Sequence, residues 1–288
     1  MNRRVGLFGL LVFPLGCFSL DSFLFEPLKV TGAYLNLADM KPAWNVHFII
    51  KPDSLIQPVT LTSQGKNIYG FFVRSNGSDT AARPTTVIYS HGTGENINRY
   101  WGRVELLWEM GYQVFIYDYQ GYGLSEGSPS GPGCFSDAEA ALAYCLGRND
   151  VDSSRVVYYG WSLGSYMACH LAADIRAPEA IILESPLAST SSLTREGTVL
   201  DVPGSFVVRA DFDNERRIGR VRAPLLLLHG KKDETAVFER NALVLYEKSN
   251  RSETEFVWLD SATHENVPET MGSDYARVIK DFVFRARH

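Results

Sequence analysis

The sequence predicts an α/β protein with a mostly parallel, doubly wound β-sheet, and three observations support this prediction. Short, continuously apolar runs recur along the chain, as is typical of strands that are covered on both faces. Stretches of helical length separate these runs, and strand–helix alternation indicates βαβ units around a parallel sheet. A β-rich hairpin precedes the alternation, so we expect an antiparallel edge at the N-terminal side of the sheet.

The apolar runs and the stretches between them place the individual elements. Two β-rich runs, 59–63 and 68–74, flank Gly65-Lys66-Asn67 and predict the hairpin. The buried strands are expected at 87–90, 114–118, 156–159, 180–183, 225–228 and 255–259. The helices are expected at about 98–111, 135–147, 163–174, 235–249 and 272–285. Because the chain shows no internal repeat, and α/β folds often exceed about 250 residues as one unit, we expect a single domain from 23 to 288.

Composition limits the classes of function. The chain carries 28 Lys and Arg residues against 33 Asp and Glu residues, which gives a formal net charge of −5. This weak acidity argues against a nucleic-acid partner, which would require a basic surface. Hydrophobic residues make up 45% of the chain and charged residues 21%, as expected of a globular protein that buries a core.

The four cysteines are too few for a disulfide scaffold, and no two of them have the spacing of a zinc site. Cys134 and Cys145 are expected on one helix, where their separation in sequence corresponds to about 16 Å, too far for a disulfide. Cys169 could pair with either of them, and the sequence does not decide which.

The first 22 residues have the pattern of a targeting segment. Arg3 and Arg4 precede an apolar run from 5 to 20, which Pro14 interrupts and which is short for a spanning helix. We therefore expect export, to the periplasmic side or the cell envelope. An uncleaved membrane anchor and a buried core helix are the alternatives.

Cys17 is a candidate for lipidation. The motif Pro14-Leu15-Gly16-Cys17 resembles a bacterial lipobox, in which the cysteine becomes the lipidated first residue. It departs from the usual pattern because Pro14, and not a leucine, lies three places before the cysteine. Lipidation of Cys17 would attach the protein to a membrane, whereas an ordinary signal peptide containing a cysteine would not.

Residues suited to hydrolysis follow the ends of three predicted strands. In parallel α/β sheets, ligands bind beyond the carboxyl ends of the strands. Ser162, Asp233 and His264 each lie just after such an end. Their order along the chain, nucleophile, acid and histidine, is the order of hydrolytic triads on sheets of this kind.

Two Gly-x-Ser-x-Gly motifs compete for the nucleophile, Gly123-Leu-Ser-Glu-Gly and Gly160-Trp-Ser-Leu-Gly. A nucleophile elbow needs a strand directly before it and a helix directly after it. Ser162 has both, whereas Ser125 precedes Gly-Ser-Pro-Ser-Gly-Pro-Gly, a stretch that we expect not to start a helix. We therefore predict Ser162 as the nucleophile and assign Ser125 to a loop.

Two backbone N–H groups are expected to stabilise an oxyanion. The helix after Ser162 brings unpaired N–H groups to the serine, so the N–H of Leu163 can serve as one donor. The second normally comes from the loop after an earlier strand, here His91-Gly-Thr-Gly. We predict the N–H of Thr93 as this donor, with Gly94 as the alternative. The glycines of this loop could also serve only a tight turn.

His264 is expected to be the base because it alone lies in a loop after the last strand. The other histidines are expected to be structural or terminal: His47, His91, His170, His229 and His288. Asp233 is expected to be the acid, although its carboxylate could instead cap the following helix. The competing carboxylates are Glu234, Asp213 and Asp260.

With these motifs, residues 86–282 resemble the α/β-hydrolase superfamily of serine hydrolases, in particular its small-lidded branch of esterases, thioesterases and peptidases. The segments that carry the resemblance are Tyr117-Asp-Tyr-Gln-Gly-Tyr-Gly-Leu-Ser-Glu-Gly, Gly160-Trp-Ser-Leu-Gly and His229-Gly-Lys-Lys-Asp-Glu. Related proteins often have an asparagine where this chain has Thr93. A backbone donor survives that change, but a side-chain role of the asparagine does not.

The resemblance implies the α/β-hydrolase fold with a small cap at about 185–222. It assigns the nucleophile to Ser162, the acid to Asp233 and the base to His264. It implies hydrolysis of a small-molecule acyl substrate, a short ester or thioester, without a metal or an organic cofactor. A serine peptidase on the same fold and a binding protein without catalysis are the alternatives.

Overall fold

The computed structural model describes residues 24–36, 41, 45–77, 84–190 and 212–288. The predicted targeting segment, with Cys17, lies outside these residues, and so does most of the predicted cap, from 191 to 211. Within the described ranges, no helix is long and apolar enough to cross a membrane.

The described residues form an eight-stranded β-sheet that ends in an antiparallel hairpin. Its strands are β1 (Ile56–Ser63), β2 (Lys66–Val73), β3 (Thr86–Ser90), β4 (Gln113–Tyr117), β5 (Val156–Trp161), β6 (Ala180–Glu184), β7 (Leu225–Gly230) and β8 (Thr254–Leu259). Across the sheet, their order is β1-β2-β4-β3-β5-β6-β7-β8. The pairs β1–β2 and β2–β4 are antiparallel, and the remaining neighbours are parallel.

Helices cover both faces of this sheet. They are α1 (Ile97–Glu109), α2 (Gly131–Leu146), α3 (Gly164–His170), α4 (Asn214–Ile218), α5 (Ala242–Lys248), α6 (Val267–Met271) and α7 (Ser273–Ala286). On one face, α1 and α7 contribute Trp101 and Ile279 to the core. On the other face, α2, α3 and α5 contribute Ala138, Met167 and Leu245.

Successive side chains of the central strands point into these two cores. In β5, Val156 and Tyr158 belong to one core, and Val157 and Tyr159 belong to the other. A strand that is buried on both faces needs apolar residues at every position, which produces a continuous apolar run. The predicted mostly parallel, doubly wound sheet with an antiparallel N-terminal edge is therefore confirmed.

Two helix predictions were wrong at their N-termini. α2 begins at Gly131, inside the stretch that we expected not to start a helix. Ser130 caps it, because its Oγ accepts the N–H of Gly133 at 3.1 Å, and Pro132 lies in the first turn, where a proline loses no helical hydrogen bond. The helix expected from 235 begins only at Ala242, after a 3₁₀ turn at Phe238–Arg240.

Candidate active site

Ser162 lies in a sharp turn between β5 and α3. Its φ angle is +53°, in the left-handed region, which costs a residue with a side chain about 1–2 kcal/mol. The flanking glycines allow the strand and the helix to approach each other. A Cβ at Gly160 would lie 2.5 Å from the carbonyl oxygen of Gly164, and a Cβ at Gly164 would overlap the carbonyl oxygen of Ser90. The turn therefore requires both glycines of the motif.

A continuous chain of hydrogen bonds connects Ser162, His264 and Asp233. The Nε2 atom of His264 lies 2.9 Å from the Oγ of Ser162, and its Nδ1 atom lies 2.8 Å from the Oδ2 of Asp233. All three residues are buried, and they follow β5, β8 and β7. The structure thus brings together the three residues that the sequence singled out, and their catalytic roles stay a prediction.

The surroundings of Asp233 orient its carboxylate. Oδ1 accepts the backbone N–H groups of Thr235 at 2.9 Å and Ala236 at 2.6 Å, which leaves Oδ2 to His264. An ionised carboxylate only accepts hydrogen bonds, so Nδ1 of the neutral imidazole carries the proton and donates it. Nε2 then presents its lone pair to the hydroxyl of Ser162, as a general base requires.

A second buried histidine, His229, packs against the loop that carries Asp233. Its Nε2 lies 2.7 Å from the carbonyl oxygen of Ala236 and 3.4 Å from the Oδ2 of Asp233. Because a carbonyl oxygen only accepts, Nε2 donates to it. Burial lowers the pKa of His229, because desolvation disfavours the charged ring.

The loop after β3 packs directly against the elbow. A Cβ at Gly164 would approach the carbonyl oxygens of Ser90 and His91, and a Cβ at Gly92 would overlap the indole ring of Trp161. The predicted oxyanion loop therefore contacts Trp161 and Gly164, which lie on either side of the predicted nucleophile. Leu163 directly follows the nucleophile, at the N-terminus of α3, where backbone N–H groups lack helical partners.

Three contacts hold Thr93 in place. Its carbonyl oxygen accepts the hydroxyl of Tyr122 at 2.6 Å and the N–H of Glu26 at 3.2 Å. Its own hydroxyl donates to the carbonyl oxygen of Leu24. The segment directly after the predicted targeting region thus contacts this loop, a contact that nothing in the sequence indicates. That Leu163 and Thr93 donate to an oxyanion stays a prediction.

The competing acids have other contacts. Asp260 is exposed and pairs with Lys231 at 2.8 Å. Asp213 caps α4 by accepting the N–H of Arg216 at 2.9 Å. Glu234 is exposed next to Asp233. Of the four candidates, the structure brings Asp233 into hydrogen-bonding distance of His264.

The other internal histidines also have structural partners. Nε2 of His91 lies 3.1 Å from Asp118, and the ring stacks on Tyr100. Nε2 of His170 lies 2.7 Å from Glu139, on the surface that joins α2 to α3. These contacts agree with the interpretation of both residues as structural.

Cys134, Cys145 and Cys169 are buried and free, so the pairing that the sequence left open for Cys169 is not formed. Burial raises the pKa of each thiol. In the part of the chain that the structure describes, no three His, Cys, Asp or Glu side chains are grouped as metal ligands would be.

The sequence analysis missed the side chains that pack behind His264. Arg103 donates to the carbonyl oxygen of Glu265 at 2.9 Å, and its guanidinium lies 4.5 Å from the centre of the Trp161 ring. The imidazole of His264 packs against the same indole, with 5.2 Å between ring centroids. Arg103 lies inside a predicted helix, where no local signal distinguishes it from a surface arginine.

The chain is similar to several known proteins. The family model described as serine aminopeptidase, S33, matches residues 82–210. The uncharacterized protein YfhR of Escherichia coli K12 is 27% identical over 258 residues, which cover 85% of this chain and 89% of that protein. The human alpha/beta hydrolase domain-containing protein 17B is 31% identical over 226 residues, which cover 78% of this chain and 74% of that protein.

Among solved structures, the esterase Pf2001 of Pyrococcus furiosus aligns with a TM-score of 0.68 and 19% identity, over 91% of this chain and 98% of that one. This similarity confirms the predicted α/β-hydrolase fold. The identity to the human protein, over most of both chains, extends the relationship from fold to family. The chain is therefore a hydrolase that belongs to the α/β-hydrolase family.

Proposed function

We propose that this protein is a serine hydrolase that cleaves an acyl ester or thioester through an acyl-enzyme on Ser162. The observation that carries the proposal is the buried chain of hydrogen bonds from Ser162 through His264 to Asp233, at 2.9 and 2.8 Å. A serine hydroxyl is a weak nucleophile, and a base within hydrogen-bonding distance is what activates it.

In the first half of the proposed reaction, Ser162 attacks the substrate. As its Oγ bonds to the acyl carbon, Nε2 of His264 takes the hydroxyl proton, and the carbonyl electrons move onto the carbonyl oxygen. Asp233 holds the imidazole in the correct tautomer and stabilises the imidazolium that forms. Collapse of the tetrahedral intermediate then expels the alcohol or thiol, which takes its proton from His264.

The backbone N–H groups of Leu163 and Thr93 are the proposed donors that stabilise the developing oxyanion. α3 fixes the first of these donors. The N–H of Thr93 belongs to the same peptide group as the carbonyl oxygen of Gly92, which accepts the Nδ1–H of His91 at 2.8 Å, and this contact fixes the second. In enzymes of this mechanism, loss of one oxyanion donor raises the barrier by about 3–4 kcal/mol.

In the second half, water replaces the leaving group. His264 accepts a proton from the water as its oxygen attacks the acyl carbon, which produces a second tetrahedral intermediate at the same oxyanion donors. Ser162 leaves with the proton from His264, and the carboxylic acid product is released. The free enzyme is restored without any other reactant.

The proposed substrate class is an ester or a thioester, and a serine peptidase is the alternative that the matched aminopeptidase family model favours. The short cap inferred from the sequence supports a short acyl group, and rates on esters and peptides decide between the two classes.

Relative rates on three substrate series test the proposal: p-nitrophenyl esters of increasing acyl length, the matching thioesters, and aminoacyl p-nitroanilides. We expect turnover of short esters and thioesters, and a loss of about 10⁴-fold in Asp233→Asn, because the amide favours the wrong imidazole tautomer. Faster turnover of the nitroanilides would select the peptidase, and no turnover of any series would contradict the hydrolase mechanism.

We also propose that the mature protein is exported and held at a membrane through lipidated Cys17 or an uncleaved N-terminal segment. The support is the sequence of residues 1–22, which lie outside the described part of the chain. Mass analysis of the mature N-terminus from a cell-envelope fraction decides between the two forms. A mature chain that begins after Cys17 would contradict both.

A further inference from the structure

A buried ion pair lies behind the candidate active site and joins α1 to β6. The guanidinium of Arg103 donates to the Oε1 of Glu184 twice, from Nε at 3.0 Å and from Nη2 at 2.7 Å. The side chain of Glu184 is fully buried and that of Arg103 is 13% exposed. The pair is therefore largely removed from water.

The second oxygen of this carboxylate is also engaged. The hydroxyl groups of Tyr159, on β5, and Tyr275, on α7, donate to the Oε2 of Glu184, the latter at 2.8 Å. Four donors from three elements thus fix one buried carboxylate. A buried charge with all its hydrogen bonds satisfied holds one geometry, because any displacement leaves a donor or the charge without its partner.

This pair is hydrogen-bonded to the backbone of Ser162 and to the backbone of the residue after His264. On the serine side, the backbone carbonyl of Glu184 accepts the N–H of Ser162 at 3.0 Å. On the histidine side, Arg103 donates to the carbonyl oxygen of Glu265, the residue after His264, at 2.9 Å. The hydroxyl of Ser185, the residue after Glu184, donates to the carbonyl oxygen of His264 at 3.1 Å.

The indole of Trp161 completes the arrangement. One face of this ring receives the guanidinium of Arg103 at 4.5 Å, and the imidazole of His264 packs against the ring at 5.2 Å. A guanidinium stacked on an aromatic ring limits the movement of that ring. The position of the imidazole therefore depends on a ring that Arg103 holds in place.

Stability alone does not explain why the fold carries this pair. Apolar residues of similar size often replace a buried ion pair without loss of stability, because the desolvation of two charges offsets their attraction. What apolar residues cannot supply is the directed hydrogen bond from Arg103 to Glu265. The pair is thus better explained by the geometry that it imposes than by the free energy of folding.

We propose that Arg103 and Glu184 are positioning residues that fix the imidazole of His264 at hydrogen-bonding distance from Ser162. They act through the carbonyl of Glu265 and the ring of Trp161, and they do not touch the substrate. This inference rests on the proposed function, since it requires that His264 is the base. Misplacement of a catalytic group by about 1 Å can cost about 10²-fold in rate.

The test is a pair of double variants with matched chemistry. Arg103→Met/Glu184→Gln removes both charges, and the glutamine can still accept from the tyrosines. The control is Arg148→Met/Asp150→Asn, which removes a bidentate pair whose arginine is 16% exposed and stacks 3.7 Å from the ring centre of Phe72. We expect kcat on the best ester to fall at least about ten-fold in the first variant, with KM within about two-fold, and to stay unchanged in the control.

A third variant keeps the test decisive if the first does not fold. Arg103→Lys retains the charge next to Glu184, but a single ammonium cannot reproduce the planar fork that reaches both Glu184 and Glu265. We expect Arg103→Lys to lose kcat as well, and to broaden the downfield proton resonance of the His264–Asp233 hydrogen bond in NMR. This resonance is recorded without substrate, so it reports on the hydrogen bond independently of activity.

Two results would overturn the inference. One is a folded Arg103→Met/Glu184→Gln enzyme whose kcat stays within about two-fold of the wild type. The other is full activity with an unchanged proton resonance in Arg103→Lys. Failure of the proposed function would look different, because the wild type itself would then show no turnover that depends on Ser162.

Discussion

The two Gly-x-Ser-x-Gly motifs of this chain place their serines in opposite environments. Ser162 stands in a left-handed turn between a strand and a helix, and its hydroxyl faces the imidazole of His264 at 2.9 Å. Ser125 is fully buried in the loop after β4. Its Oγ donates to the carbonyl oxygen of Asp118 at 2.9 Å and accepts the N–H of Tyr69 at 3.0 Å. One hydroxyl faces an imidazole, and the other bridges two backbone groups.

The glycines of the two motifs serve different needs as well. Gly160 and Gly164 have no room for a Cβ, because the helix and the loop after β3 lie against them. Gly123 and Gly127 have φ angles of +47° and +80°, so the loop needs them for backbone conformations that side chains disfavour. Gly123 is also closely packed, because a Cβ there would overlap the Oδ2 of Asp118 and the hydroxyl of Tyr34. Positive φ angles thus distinguish the glycines of the loop from Gly160 and Gly164, which are required by close packing alone.

The largest expected effect is the difference in kcat between alanine variants of the two serines. Ser162→Ala should lower kcat on the best ester by at least about 10⁴-fold, because no acyl-enzyme can form. Ser125→Ala removes two buried hydrogen bonds and should cost about 1–3 kcal/mol of stability, with kcat nearly unchanged. Steady-state rates and urea denaturation of both variants measure this difference. A large loss of kcat in folded Ser125→Ala would remove the contrast between the motifs.

A smaller effect is expected when alanine replaces one glycine of each motif, and it is measured as a loss of stability. In Gly164→Ala, the new Cβ meets the backbone of Ser90, which cannot yield without moving the predicted oxyanion loop. We expect a loss of at least about 3 kcal/mol in the free energy of unfolding, together with a loss of activity. In Gly127→Ala, the nearest atom is the Oε1 of Gln120 at 3.1 Å, which needs to move by only a few tenths of an ångström, so backbone strain of about 1–2 kcal/mol is the main cost.

Denaturant titration and kcat measured on the two glycine variants test this expectation. Equal stability losses, with full activity in Gly164→Ala, would show that the elbow does not need the close approach of the loop after β3.

The smallest effect concerns pH and the histidine beside Asp233. Burial lowers the pKa of His229 in the folded chain, so below about pH 6.5 the unfolded chain binds a proton that the folded chain does not. Stability from this group is therefore present above that pH and is lost as the pH falls, by at most about 1.4 kcal/mol per pH unit.

The variant His229→Gln should flatten this slope between about pH 6.5 and 5, whereas His288→Gln, at the exposed C-terminus, should leave it unchanged. Urea midpoints across this range measure both slopes. An unchanged slope in His229→Gln would assign the acid sensitivity to other groups.

The sequence predicted the parts of this molecule that local patterns encode. Continuous apolar runs located the strands because burial on both faces demands them. The strand before Ser162 and the helix after it identified the elbow. The start of α2 differs from the prediction because the cap at Ser130 allows a helix to begin among the proline and glycines.

Other features have no local signal. The pairing of Arg103 with Glu184 joins residues 81 positions apart, and the contact of Leu24 with Thr93 joins residues 69 positions apart. Such contacts depend on how the strands and helices are stacked, which neither periodicity nor composition encodes. The predicted cap and the N-terminal targeting segment stay predictions, because most of the cap and residues 1–22 lie outside the described chain.

The most direct test of the account is the site of covalent modification by a fluorophosphonate, mapped by mass spectrometry of tryptic peptides. Ser162 falls on the peptide 156–176, and Ser125 falls on a different one. We predict a single adduct, located on Ser162, that forms in wild type and in Ser125→Ala and is absent from Ser162→Ala. An enzyme that hydrolyses esters without this adduct, or that carries it on another residue, would contradict the account.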